Sequence, residues 1–370
     1  MIRSWLAATL RGEMPDFDNS KSGSVDDLIA AASEHGVTLL LHEQIKLNQD
    51  AVDYPSSLLD RLVEIERNEI AAELFRLAET RTALICLRDA GIQVLVLKGT
   101  ALAYGLYAKP YLRPRIDADL LFADAEIAQA AGMALEAIGY QCLSLMPKPD
   151  KNAISYEVAY RKTSRHGTTQ TMDVHWALAN NALYGSRFSS AELIEHARDI
   201  KALAPNAKGL GWIHAMAHAC VHRVAHLPEG QGDKLIWLYD MHLMCARFSD
   251  QDWKDFVGLA EQRQLAGAFT SGLQETVAAF NTILPEHLLP MLVNLAKKER
   301  FKVSKAGSAI YIDLHGLYWM TNGQRWHWFL QTFFPPAEYM MERDGLTSSL
   351  QLPLAYAKRI FHRLFRSNAR

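Results

Sequence analysis

Cysteine is scarce and scattered in this chain: four residues, Cys86, Cys142, Cys220 and Cys245, with no C-x-x-C pair among them. That spacing excludes a disulfide-framed fold and reads as buried thiols in a reducing compartment. Long apolar runs are missing as well. No stretch approaches the ~18 uncharged apolar residues of a membrane span. The opening MIRSWLAATLRGEMPDFD is broken by Arg11, Glu13 and Asp16, so it lacks the apolar core of a secretion signal. The expected location is cytoplasmic. Nor is there an excess of charge of one sign, since 39 basic and 41 acidic residues leave a net −2. That balance gives no global reason to expect a long nucleic acid or an anionic membrane as partner. The basic residues near the C-terminus (Lys358, Arg359, Arg363, Arg366, Arg370) read as a solvated end.

What is present is ordinary globular material: 49% hydrophobic and 22% charged residues over 370 positions, enough for roughly two domains. The first 90 residues carry helical spacing. VDDLIAAASEHGV opens with Ser24 as cap, has Asp26 and Asp27 in the first turn, and stops at Gly36. Residues 56–89 repeat apolar positions (Leu62, Ile65, Ile70, Leu74, Leu77) as a long amphipathic helix. The texture changes at GIQVLVLKG, a glycine-bounded apolar run that reads as a buried strand. A helix beginning at Gly99-Thr100 follows, then the strand IDADLLF and a helix ending at Gly139. Residues 155–162 and 169–176 alternate around TSRHGT and predict an antiparallel hairpin. This is a compact α+β module at 91–180, preceded by a helical region at 1–90. From 181 to 370 the pattern is helical nearly throughout. The aromatic stretch 317–334 reads as a docked helix packed into the core.

One constellation carries chemistry. Asp117 and Asp119 are two apart on a strand, so both carboxylates share a face. Paired carboxylates resist joint ionisation unless a cation sits between them, and magnesium joins one or two carboxylates to substrate phosphates. Asp173, on TMDVHW, would complete a set of three if its strand lies beside that of Asp117, a geometry suited to a two-metal site. Lys98-Gly99-Thr100 falls between a strand and a helix, where backbone amides bind phosphate. Lys98 adds charge there and Thr100 a hydroxyl. Arg113 and Arg115 could neutralise more phosphate charge, and His175 shares the face of Asp173.

The run VLVLKGTALAYGLYAKPYLRPRIDADLLF resembles the signature of an uncharacterised bacterial nucleotidyltransferase family in the DNA polymerase β-like superfamily. The matching residues are Leu97-Lys98-Gly99, Ala101-Leu102, Leu106-Tyr107, Arg113, Asp117, Asp119-Leu120 and the later Asp173-Val174-His175-Trp176. Gly99-Thr100 stands where the superfamily has Gly-Ser, and Arg115-Ile116 replaces a small-Gly pair. The resemblance implies a small mixed β-sheet core flanked by helices, with a large helical C-terminal region. It also implies transfer of a nucleoside monophosphate from a nucleoside triphosphate to a hydroxyl acceptor (a small molecule, a sugar or a protein). Two magnesium ions would be held by Asp117, Asp119 and Asp173, and the nucleotide by Lys98, Gly99, Thr100, Arg113 and His175. A catalytically inactive scaffold of the same fold is the second expectation.

His214, His218, His222 and His226 recur every four residues. Helical spacing puts neighbouring pairs on one face, but the glutamate of H-E-x-x-H is missing. Packing, a wall of the acceptor pocket, and a metal site for hydrolysis are the three readings. Asp240, in the apolar WLYDMHLM, is expected to be buried and paired, with Lys234 or Arg223 as partner.

Overall fold

A computed structural model of the chain describes residues 1–17, 23–48, 52–143, 157–165, 167–179, 182–185, 187–232 and 234–365. Within these, seven strands build one mixed sheet: β1 (Leu95–Val96), β2 (Asp117–Leu121), β3 (Gln141–Cys142), β4 (Glu157–Thr163), β5 (Thr169–His175), β6 (Arg198–Asp199) and β7 (Lys208–Gly209). Their order is β3-β4-β5-β2-β1-β7-β6. The β2–β5 and β1–β7 pairs are parallel and the others antiparallel. The class is α+β, as the sequence pattern predicts. Residues 155, 156 and His166 of the expected hairpin lie outside the described residues, as do Arg366 and Arg370 of the basic tail.

Period-two alternation sets the two faces of the sheet. Ala118, Leu120 and Phe122 from β2 and its end join Met172 and Val174 of β5 in one buried apolar cluster. The odd-numbered side chains of both strands point the other way. The helix Ala125–Ala137 and the C-terminal part of the long helix Ser56–Asp89 cover the apolar face. A second, larger core unites the N-terminal helices with those from Trp212 onward: Leu6, Leu28 and Leu41 pack in one cluster with Met216, Leu238 and Phe269.

Local signals account for several boundaries. Ser24 and Asp27 form a reciprocal capping box at the start of Val25–Glu34. Gly91 and Gly139, at φ +71° and +95°, end the two helices before them. β1 is shorter than its apolar run suggests. Leu97 still donates its amide to the Asp119 carbonyl (2.9 Å), but Lys98 then turns to φ +45° and starts the helix Lys98–Gly105.

Three sequence expectations need correction. The region after Asn180 is not wholly helical, because β6 and β7 extend the sheet. The join to β1 depends on Gly209, where an added Cβ would lie 2.7 Å from Ile200 and 3.1 Å from the Val96 carbonyl. The long helix does bury Leu62, but Ile70 and Leu74 face outward, Leu74 being 64% exposed. Its buried face there is Glu73, Arg76 and Thr80, because the neighbouring surface offers charged partners rather than apolar ones. Finally, the aromatic helix Asn322–Phe333 is not packed into the core: Trp326 is 61% exposed and stacks on Phe329. Among the described residues, no helix is long and apolar enough to cross a membrane.

Candidate active site

The acids come together through strand register. Asp119 on β2 stands directly opposite Asp173 on β5, and Leu121 opposite His175. Since β2 and β5 are parallel neighbours, Asp117, Asp119, Asp173 and His175 line up on the face away from the apolar cluster. β4 adds Glu157, paired in register with His175. Sequence reasoning missed this acid, whose place is set only by the antiparallel pairing of β4 and β5.

Asp119 is the hub. It is 3% exposed, and its Oδ1 accepts from Lys98 Nζ at 2.7 Å and lies 2.9 Å from His175 Nε2. Glu157 Oε2 lies 3.4 Å from the other ring nitrogen of His175. Burial alone would raise the Asp119 pKa, but the Lys98 ammonium and the His175 contact hold it well below the usual carboxylate range. The adjacent acids behave oppositely. Burial, then the charge of Asp119, pushes Asp117 upward. Burial, together with the charges of Asp119 and Asp117, pushes Asp173 up to about 7. One lysine is therefore too little positive charge for three carboxylates on one face. Donor atoms of Asp119, Asp173 and His175 lie within 4.8 Å of one another. A divalent cation fits that donor set and charge deficit, with carboxylate oxygens suiting magnesium. Asp117 lies outside this tightest trio.

Asp117 and Asp119 open onto a cavity of about 540 Å³. One wall is Lys98, Gly99, Asp117 and Asp119; the helix Trp212–Ala225 faces it with His218 and His222. Lys98 holds its left-handed backbone while its side chain spans to Asp119, a local strain of ~1–3 kcal/mol that the surrounding fold must sustain.

Other expected residues are placed differently. Thr100 is 1% exposed; its hydroxyl accepts from Arg115 Nε at 3.1 Å and points toward the Asp117 carbonyl at 3.4 Å. Arg115 also bonds Glu73 (2.7 Å), the inward acid of the long helix. Arg113 is buried and clasps Asp240 with three contacts of 2.8–3.0 Å, while the Tyr107 hydroxyl donates to the same carboxylate at 2.6 Å. Asp240 is thus buried and paired as expected, but its partner is Arg113 rather than Lys234 or Arg223. Sequence spacing could not show that, because 127 positions separate the two.

The histidines do not converge on a common point. His214 contacts Glu192 (3.2 Å) and His226 contacts Glu229 (2.8 Å), while His222 meets Trp237 edge-on at 4.6 Å. Among the described residues, the convergent metal-type donors are Asp119, Asp173 and His175. Burial, then the nearby Lys98 charge, drives His218 down to about 3, with Asp119 opposing and His175 reinforcing. Burial likewise holds His222 well below its ordinary value, with Lys98, His226 and His218 adding to it. A base whose folded pKa lies below its unfolded value of ~6.5 stabilises the fold above that pH and loses the contribution as pH falls. His218 alone is expected to cost ~2 kcal/mol between pH 7.5 and pH 5. Urea unfolding of wild type and His218→Gln at both pH values checks this: the acid deficit should shrink by about that amount in the variant. An equal deficit in both proteins would rule it out.

Residues 21–281 match a protein family described as an uncharacterised nucleotidyltransferase. No curated protein matches the chain. The matched span contains β1 through β7, the facing helix and Asp240. With more than half of its length matched, this chain belongs to the uncharacterised nucleotidyltransferase family.

Proposed function

We propose that this protein is a magnesium-dependent nucleotidyltransferase that moves a nucleoside monophosphate from a nucleoside triphosphate to a hydroxyl acceptor. The observation that carries this reading is the alignment of Asp117, Asp119 and Asp173 on one sheet face, with Asp117 and Asp119 lining a cavity beside Lys98-Gly99 at the start of a helix. In this reading the 91–180 module bears the chemistry. The helices of 181–370 supply the opposite wall, and 1–90 braces both. Free cysteines fit work in a reducing, cytoplasmic setting.

Asp117, Asp119 and Asp173 would hold magnesium, which when bound supplies charge neutralisation and a template for the triphosphate. Lys98 and the first amides of its helix receive phosphate oxygens. As the acceptor hydroxyl attacks the α-phosphorus, its proton passes to the Asp173 carboxylate. The new P–O bond forms as the bond to pyrophosphate breaks, and pyrophosphate leaves. His175, held between Glu157 and Asp119, keeps Asp119 oriented. Thr100 acts from behind the wall, tying the helix start to β2 through Arg115, while Arg113, in the wall itself, ties the approach to β2 to Asp240.

A second reading, a nucleotide-binding scaffold without turnover, is favoured by the inward Thr100 hydroxyl and by the closure of Lys98 on Asp119. Calorimetric titration of each nucleoside triphosphate, with and without magnesium, into wild type and Asp117→Ala/Asp119→Ala tests the main proposal. Magnesium-dependent binding lost in the double variant is the expected result. Folded wild type that binds no triphosphate would sink it.

A further inference from the structure

The cavity has a second electrostatic feature, away from the acids. Most of its lining cations are matched: Lys98 to Asp119, Arg113 to Asp240, Arg115 to Glu73 and Arg76 to Glu69. Two more cations line it without an ion pair among the described residues: Lys234, which lies over the Trp237 ring at 5.5 Å, and Arg198 on β6. The Arg198 Nε is buried with no hydrogen-bond partner among the described residues. One guanidinium nitrogen donates to the Ala101 carbonyl at 3.2 Å, and the group stacks on Trp212 at 3.8 Å. Arg247 approaches the same ring at 4.8 Å, so two like charges share one indole. Trp212 begins a 14-residue helix whose N-cap, Gly211, offers no side-chain cap. That helix lines the cavity at Ala215, its fourth residue, whose amide is already bonded to the Gly211 carbonyl at 2.8 Å. A half-buried guanidinium without an acid among the described residues, sharing one ring with a second arginine, favours an anion. Gly105 makes room for the guanidinium, since a Cβ there would lie 2.5 Å from it.

We infer that the hydroxyl acceptor carries a phosphate or carboxylate group and that Arg198 receives it. This rests on the transferase reading. Ala101 is three residues beyond Lys98, roughly 4.5 Å along the helix axis. An anion on Arg198 therefore lies in the same cavity as the acids but one helical turn from the helix start proposed to hold the triphosphate. Requiring two anions, one on donor and one on acceptor, would reject neutral hydroxyl compounds and water.

The test is calorimetric titration of inorganic phosphate and of acetate, without metal, into wild type, Arg198→Gln and Lys98→Gln, alongside magnesium–triphosphate titrations. At least one of the two anions should bind about tenfold more weakly to Arg198→Gln, the loss expected for one charge-assisted hydrogen bond. Lys98→Gln should instead lower magnesium–triphosphate binding more than it lowers binding of that anion, and the preferred anion identifies the acceptor's group. Because Arg198 also supports Trp212, Gly105→Ala provides a second variant that displaces the guanidinium with its charge intact. It should weaken the same anion. Unchanged affinity for both anions in the two variants would overturn the inference. An equal loss of magnesium–triphosphate binding in Arg198→Gln would also overturn it by assigning Arg198 to the donor. Wild type that binds anions through Arg198 but no triphosphate would leave the anion site standing while sinking the transferase reading.

Discussion

Asp119→Asn is expected to remove magnesium-dependent triphosphate binding and to lower transfer by on the order of 10³-fold. A metal clamp supplies several kcal/mol of transition-state stabilisation, and each 1.36 kcal/mol is tenfold in rate. Asp119 should outrank its neighbours because it is the one held firmly ionised, and because Lys98 and His175 both converge on its Oδ1. Asp117→Asn and Asp173→Asn remove carboxylates that burial and crowding have already pushed toward the neutral form. Their losses are expected to be smaller. Single-turnover rates at saturating triphosphate, with binding measured separately, rank the three. A rate for Asp119→Asn equal to that of Asp173→Asn would remove Asp119 from its place as hub. Denaturant unfolding confirms that each variant is folded before it is ranked.

The second large effect is on stability. Asp240→Ala is expected to cost ~3–5 kcal/mol, since it leaves the buried Arg113 guanidinium without its counter-charge. The Tyr107 hydroxyl loses its acceptor in the same change. Pairing Asp240→Leu with Arg113→Met should recover most of that cost, because no unpaired charge then remains. A double-mutant cycle read by urea unfolding isolates the coupling. A loss below ~1 kcal/mol for Asp240→Ala would mean that water reaches the guanidinium, as at a surface pair. The same substitution should weaken transfer beyond its effect on folding. Arg113 immediately precedes the turn into β2, and Asp240 sits on the helix Leu235–Cys245 that helps wall the cavity. The pair therefore fixes the helical half against the acid-bearing strand.

Several elements were legible because their signals are local. Capping at Ser24, termination at Gly91 and Gly139, and the alternation in IDADLLF and TMDVHW each depend on a few adjacent residues. The shared face of Asp117 and Asp119 follows from strand pleating alone. Apolar periodicity was a poorer guide in the long helix. Period alone cannot say whether a charged stripe meets water or a charged partner, and here Glu73 and Arg76 point inward to Arg115, Tyr104 and Glu69.

The sequence by itself determined the α+β class, the three acids on two strands and the Lys98-Gly99 helix start, because backbone period and turn chemistry act over short separations. Only the tertiary structure decided which strands are neighbours. That choice set Asp173 against Asp119, brought Glu157 to His175, and added β6 and β7 from a region that reads as helix. It also decided the charge pairing, giving Asp240 to Arg113 and leaving Arg198 without an acid among the described residues. Ion pairing in a low-dielectric interior depends on distance after folding, and distances between residues a hundred positions apart are fixed by packing rather than by spacing.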